Sequence, residues 1–174
     1  MHLFLIGYRA TGKSSVAIQL AKELQLPVVD LDQNIVERAS KSIQEIFEQD
    51  GEEHFRELET RCLEALGDYP PAVVALGGGA VLAEANQNLL EQLGKAVWLQ
   101  ASVDQILQRL AQDLQTAEQR PALTDLSQTA EVRTVLESRR KIYAACADYS
   151  VDTNGQTVAE VAQQIANWWQ SVDN

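Results

Sequence analysis

Leu3-Phe4-Leu5-Ile6-Gly7-Tyr8-Arg9-Ala10-Thr11-Gly12-Lys13-Ser14 decides the fold. Four apolar residues stop at a glycine, as a short buried strand does. The next eight residues read G-x-x-x-x-G-K-[ST], the phosphate-binding loop. Gly7 and Gly12 permit backbone angles that other residues avoid, so successive N–H groups can turn inward as an anion nest. A helix starting near Lys13 adds its positive end. Lys13 supplies a mobile charge for the β- and γ-phosphates, and the Ser14 hydroxyl can ligate Mg²⁺. The plain alternative is a chance glycine-rich turn. From average residue usage such a pattern arises by chance in roughly one chain of this length in a hundred or fewer.

Working outward from the loop, β-like runs at 3–6, 27–30, 72–76, 96–99 and 149–152 alternate with helical periodicity. Apolar residues recur three and four apart over 14–24, 35–39, 43–47, 55–66, 103–114, 132–147 and 158–169. Strands alternating with helices predict a three-layer α/β/α domain on a five-stranded parallel sheet. No repeat, low-complexity tract or linker interrupts residues 1–174, so a single domain is expected. In such sheets ligands bind at the carboxyl ends of the strands.

The composition narrows the partners. With 14 Lys and Arg against 25 Asp and Glu, the net charge of −11 disfavours nucleic acid and anionic membranes. The opening apolar run is too short for an export signal or a bilayer span. Cys62 and Cys146 make neither a disulfide framework nor a metal spacing, so two thiols in a cytoplasmic protein are expected.

Two further strand ends and several cations carry candidate chemistry. Asp30-Leu31-Asp32 follows the second strand, and alternation along a strand would aim both carboxylates into one cleft. One could serve Mg²⁺ and the other accept a hydroxyl proton. The competing reading makes Asp32 the N-cap of the following helix. Gly77-Gly78-Gly79 follows the third strand and suits a ligand lying on bare backbone N–H groups. A loop needing positive φ is the alternative. Arg56 lies in a helical stretch, and Arg139, Arg140 and Lys141 crowd together in an otherwise acidic chain. Arg120 sits in the polar segment 115–129, whose lack of pattern suggests a lid.

Taken in order, these features resemble the shikimate kinase family, a nucleoside-monophosphate-kinase-like group of P-loop enzymes. The resemblance rests on the loop, Asp30 and Asp32, Lys41-Ser42-Ile43-x-x-Ile46-Phe47 and Gly51-Glu52-x-x-Phe55-Arg56. It continues through the glycine triplet, Arg120-Pro121-x-Leu123, Arg139-x-x-x-Tyr143 and Val151-Asp152-Thr153. It implies transfer of the γ-phosphate of ATP to the 3-hydroxyl of shikimate, a step toward chorismate and the aromatic amino acids. By resemblance Asp32, Arg56, Gly77, Gly78, Gly79 and Arg139 hold shikimate, within a helical region spanning about 32–61 and beyond it. Gly7, Ala10, Thr11, Gly12, Lys13, Ser14, Ser15, Arg109 and Arg120 hold the nucleotide, with Arg109 stacked on adenine. Lys13, Asp32 and Arg120 act in catalysis, and Ser14 and Asp30 serve Mg²⁺. A monomer is the default for the family.

The chain departs from the family pattern in three places. Ala10 stands where the loops usually carry Gly, and its methyl is expected to crowd the acceptor side. The stretch between Arg109 and Arg120 is longer than in many relatives. Thr153-Asn154-Gly155-Gln156 lacks a proline often found there. The alternatives are another carbohydrate-acid kinase of this fold, such as a gluconate kinase, or a kinase-like nucleotide-binding protein without turnover. Ala10 is the feature that favours the last.

Overall fold

The computed structural model describes residues 1–112 and 128–172. Its centre is β1 (His2–Ile6), all five residues of which are buried. On one side it pairs with β3 (Val73–Ala75), which pairs in turn with β2 (Val28–Asp30). On the other it pairs with β4 (Gly94–Gln100), which pairs with β5 (Tyr149–Asp152). All pairs are parallel, in the order β2-β3-β1-β4-β5. Leu5 stands between Ala75 and Val97 in this register. The order reverses direction at β1, and a crevice opens at its carboxyl end.

The alternation of side chains divides the core between the two faces of the sheet. Leu3, Leu5, Val73, Val97 and Leu99 pack under α1 (Lys13–Leu24) and α8 (Val158–Val172). Phe4, Ile6, Val74 and Trp98 pack under the opposite layer. That layer contains α2 (Leu31–Ala39), α3 (Ile43–Gln49), α4 (Gly51–Glu64), α5 (Glu84–Leu93) and α7 (Gln128–Cys146). A third cluster joins Tyr8 of the phosphate loop to Ile106 of α6 (Val103–Gln112) and to Val132 and Val135 of α7. The sheet and both helical layers agree with the expected architecture. Among the described residues no helix is long and apolar enough to cross a membrane.

The helix that the periodicity did not reach is α5. Its leucines, Leu89, Leu90 and Leu93, lie in its second half, and a polar residue fills the buried position of its first turn. Asn86 is fully buried, donates to the Ala80 carbonyl at 2.8 Å and accepts from Thr60 Oγ1 at 2.8 Å. A satisfied amide here replaces the apolar side chain that a pattern search requires. α4 likewise begins a turn earlier than its apolar stripe, because Glu52 and Glu53 form its polar first turn.

Candidate active site

The loop between β1 and α1 has the conformation its glycines predict. Gly7 has φ +142° and Gly12 φ +95°, both in territory that L side chains rarely enter. At Gly7 space is also forbidden, since a Cβ would lie 2.6 Å from the Leu99 carbonyl oxygen of the neighbouring strand. Thr11 Oγ1 donates to the Tyr8 carbonyl at 2.8 Å and is buried with it. Lys13 Nζ donates to the carbonyls of Gly7 and Tyr8 at 2.9 and 2.8 Å, which holds its charge at the mouth of the loop. Ser15 follows on the first turn of α1 and is exposed.

Ala10 also has a left-handed backbone, φ +59°. That is the physical reason a glycine suits this position, and an alanine here carries strain of about 1 kcal/mol. The expected crowding of the acceptor side is not what the methyl does. Ala10 packs on the cluster of Tyr8, Ile106 and Val132 and is not among the residues lining the acceptor pocket.

The carboxylate pair needs a correction in its geometry. Asp30 ends β2 and is itself the N-cap of α2, with Oδ1 accepting from the Gln33 N–H at 3.3 Å. Asp32 lies in the first helical turn, so the two do not share a strand face. Asp30 Oδ2 accepts from Ser14 Oγ at 2.7 Å, beside the phosphate loop. Asp32 lines a separate pocket with Arg56, Glu59, Gly77, Gly79 and Arg139. The helix start, not strand alternation, sends one carboxylate to the nucleotide side and the other to the acceptor side.

All three glycines of the triplet line the acceptor pocket, and two of them have a steric cause as well. None of the three has a positive φ, which removes the turn explanation. A Cβ on Gly77 would lie 2.7 Å from Asp32 Oδ1 and 3.0 Å from Glu59 Oε1. One on Gly79 would lie 2.6 Å from Arg56 Nη2. These glycines make room for the pocket's own charged side chains. Gly78 accepts on its carbonyl from Arg139 Nη1 at 3.1 Å and from the Tyr143 hydroxyl at 2.5 Å.

Arg56 is aimed by two carboxylates on its own helix. Nη1 donates to Glu59 Oε2 at 2.9 Å and Nη2 to Glu52 Oε1 at 3.1 Å. Glu59 is fully buried, and among the described residues its Oε1 has no hydrogen-bond partner. Burial pushes its carboxyl up to about 7, with Arg56 opposing the rise and Asp32 adding to it. Burial also lifts the Tyr143 phenol to about 12, so it stays a neutral donor. Ile43, Phe47 and Phe55 also line the pocket, with the two phenylalanine rings 4.9 Å apart and the Arg56 guanidinium 5.2 Å from the centre of the Phe55 ring. A pocket lined by Arg9, Arg56 and Arg139, by the carboxyl groups of Asp32 and Glu59 and by apolar side chains suits a small ring carrying an acid and hydroxyls.

Arg109 Nη1 donates to the Ala10 carbonyl at 3.2 Å and to Thr153 Oγ1 at 3.0 Å, and Nη2 to the Thr153 carbonyl at 2.9 Å. It thereby ties α6 to both the phosphate loop and the turn after β5. Arg120, and 115–127 of the expected lid, lie outside the described residues. Positions 128 and 129 begin α7. Arg139 faces the acceptor pocket, whereas Arg140 lines a different cleft with Trp98 and Asp152. Sequence reasoning missed Glu59 and the Arg9–Glu131 pair. Glu59 had a signal, since it stands three residues after Arg56 at helical ion-pair spacing. Glu131 had none.

A phosphate loop, a hydroxyl–carboxylate pair at its base and an adjoining pocket for a small anionic alcohol together define a P-loop small-molecule kinase. The family model for shikimate kinase matches residues 9–170. The chain belongs to the shikimate kinase family. It is 44% identical to the shikimate kinase of Rhodopirellula baltica over 94% of this chain and 88% of that one. The shikimate kinase of Geobacter sulfurreducens is 42% identical over 96% of this chain and 90% of its own. The solved structure of the Acinetobacter baumannii shikimate kinase in complex with shikimate superposes with a TM-score of 0.90. It is 32% identical, covering 98% of this chain and 93% of that one. The Aquifex aeolicus enzyme gives 0.80 at 30% identity, covering 98% and 97%.

Proposed function

We propose that the chain phosphorylates shikimate, moving the γ-phosphoryl group of ATP to the 3-hydroxyl and releasing ADP and shikimate 3-phosphate. The observation that carries this reading is the pocket of Arg56, Arg139 and Asp32 beside the phosphate loop. Arg56 and Arg139 take the acceptor carboxylate, and Asp32 takes a ring hydroxyl. The hydroxyl oxygen forms the new bond to phosphorus while the bond from the γ-phosphorus to the bridging oxygen breaks. The hydroxyl proton passes to Asp32. Lys13 and the N–H groups of the loop hold the charge that spreads over the phosphoryl oxygens. Arg109 carries the adenine side, and Arg120 joins Lys13 on the transferring phosphate by resemblance.

Ser14 and Asp30 fit Mg²⁺ by donor chemistry. Both are hard oxygen donors, 2.7 Å apart, and few protein ligands suffice where phosphates complete the shell. When bound, the ion neutralises phosphate charge as the group transfers. A monomer as the working unit rests on resemblance to the family. Cys62 and Cys146 are free thiols, in keeping with the cytoplasm, where ATP is supplied.

A coupled ADP-release assay with shikimate, gluconate or no acceptor tests the reading. Release that depends on shikimate is the expected result. Release with gluconate alone would reassign the acceptor, and nucleotide binding without release would make the chain a non-catalytic binder.

A further inference from the structure

Arg9 occupies a position that the phosphate-loop pattern leaves open. Its side chain nevertheless has a fixed place. It lines the acceptor pocket with Arg56 and Arg139 and stands 5.6 Å from the centre of the Tyr8 ring. Nη2 donates to Glu131 Oε1 at 2.6 Å, with the two side chains only 14% and 4% exposed. A pair this buried loses more hydration than an exposed one and persists only with close geometry. Glu131 belongs to the first turn of α7, about two turns before Arg139 on the same helix.

The contacts close a ring. Arg9 binds Glu131, and α7 carries Arg139 and Tyr143 to the Gly78 carbonyl. Gly78 in turn packs on Arg9, whose backbone N would lie 3.4 Å from a Cβ placed there. A shift of α7 along the loop would break the ring at both ends. We propose that Arg9, clamped by Glu131, is a positioning residue for the acceptor: it fixes α7 against the phosphate loop and so aims Arg139 into the pocket. This rests on the reaction assigned above and adds a residue that the loop pattern does not specify.

The test compares Arg9→Gln, Arg9→Lys, Glu131→Gln and the double variant Arg9→Gln/Glu131→Gln. Steady-state kinetics are measured with shikimate and MgATP varied in turn, and thermal melts check folding. Arg9→Gln and Glu131→Gln should each raise KM for shikimate about tenfold while KM for ATP stays within about twofold. Arg9→Lys should recover part of the loss, because lysine keeps the charge without the planar fork. The double variant should be no worse than the poorer single one, since the pair acts as a unit. Equal losses for both substrates, or folded variants with unchanged KM for shikimate, would overturn the proposal. If Arg9→Gln does not fold, Arg9→Lys and Glu131→Gln carry the comparison. Wild-type turnover of shikimate is the control. Its absence overturns the assigned reaction, and its presence with unshifted variants overturns the role of Arg9 alone.

Discussion

The nucleotide half and the acceptor half of the site are built by different means. On the nucleotide side one continuous stretch, Gly7 to Ser14, does most of the work through its backbone. Lys13 closes on the carbonyls of its own loop, and Asp30 brings a carboxylate to Ser14. The acceptor side is assembled from side chains on α2, α3, α4, α7 and the phosphate loop, set against the glycine backbone after β3. Its parts hold one another: Glu59 and Glu52 aim Arg56, and the Gly78 carbonyl receives Arg139 and Tyr143. A local backbone device is fixed by neighbours in sequence. A side-chain network is fixed only once the chain has folded around it.

That contrast can be broken most sharply at Lys13. Lys13→Met should lower turnover by a factor on the order of 10³ or more, because its charge meets the transferring phosphoryl group. The Gly7 carbonyl also loses this donor, while the Tyr8 carbonyl keeps Thr11 Oγ1, so stability should fall by about 1–3 kcal/mol. Shikimate binding by calorimetry should change little. A shikimate affinity that collapses with turnover would show that the two halves are not separable.

Gly79→Ala is the matching test on the other side. Its methyl would displace the Arg56 guanidinium, which lies 2.6–2.9 Å from the new atom. KM for shikimate should rise about ten- to a hundredfold, the size of a lost charged hydrogen bond. ATP affinity and melting temperature should hold nearly steady. A comparable rise in KM for ATP would contradict the division.

Glu59 tests what the network costs. Its folded-state carboxyl is raised from 4.5 to about 7, so the folded protein binds a proton that the unfolded chain releases between those values. This contribution to stability is full below about pH 4.5 and is lost as pH rises toward 7. The change amounts to about 2–4 kcal/mol. Denaturant titrations of wild type and Glu59→Gln across that window should diverge accordingly, with the flatter profile in the variant. Parallel profiles would mean that Glu59 is ionised throughout and stabilised by Arg56.

Ala10→Gly should have the smallest effect. It relieves a left-handed alanine but adds backbone freedom to the unfolded chain, so a gain of at most about 1 kcal/mol is expected. Turnover should be unchanged, since Ala10 packs on α6 and α7 and not in the acceptor pocket. A marked rise in turnover would instead return the methyl to the reaction path.

The same division explains what was legible in the sequence. Strand ends, the phosphate loop and most helices followed from periodicity and one motif, because each depends on residues close in the chain. Asp30 and Asp32 were found, but their roles in the geometry were not, because a helix beginning at Leu31 replaces strand alternation with helical spacing. The glycine triplet was visible, yet its steric cause lay in Asp32, Glu59 and Arg56, far away in sequence. Glu131 left no trace, since only folding brings it to Arg9. α5 hid behind a buried Asn86 whose partners are likewise remote.

The two kinds of glycine set different routes for evolutionary change. At Gly7 an added carbon meets the backbone of β4 in a conformation hostile to any L residue, so no second substitution can rescue it. At Gly79 it meets the tip of one long side chain, which a second substitution at Arg56 could shorten. Drift can therefore proceed in paired steps around the acceptor while Gly7 of the nucleotide loop stays fixed. A lineage built on this scaffold can change which alcohol it phosphorylates far more readily than where the phosphate comes from.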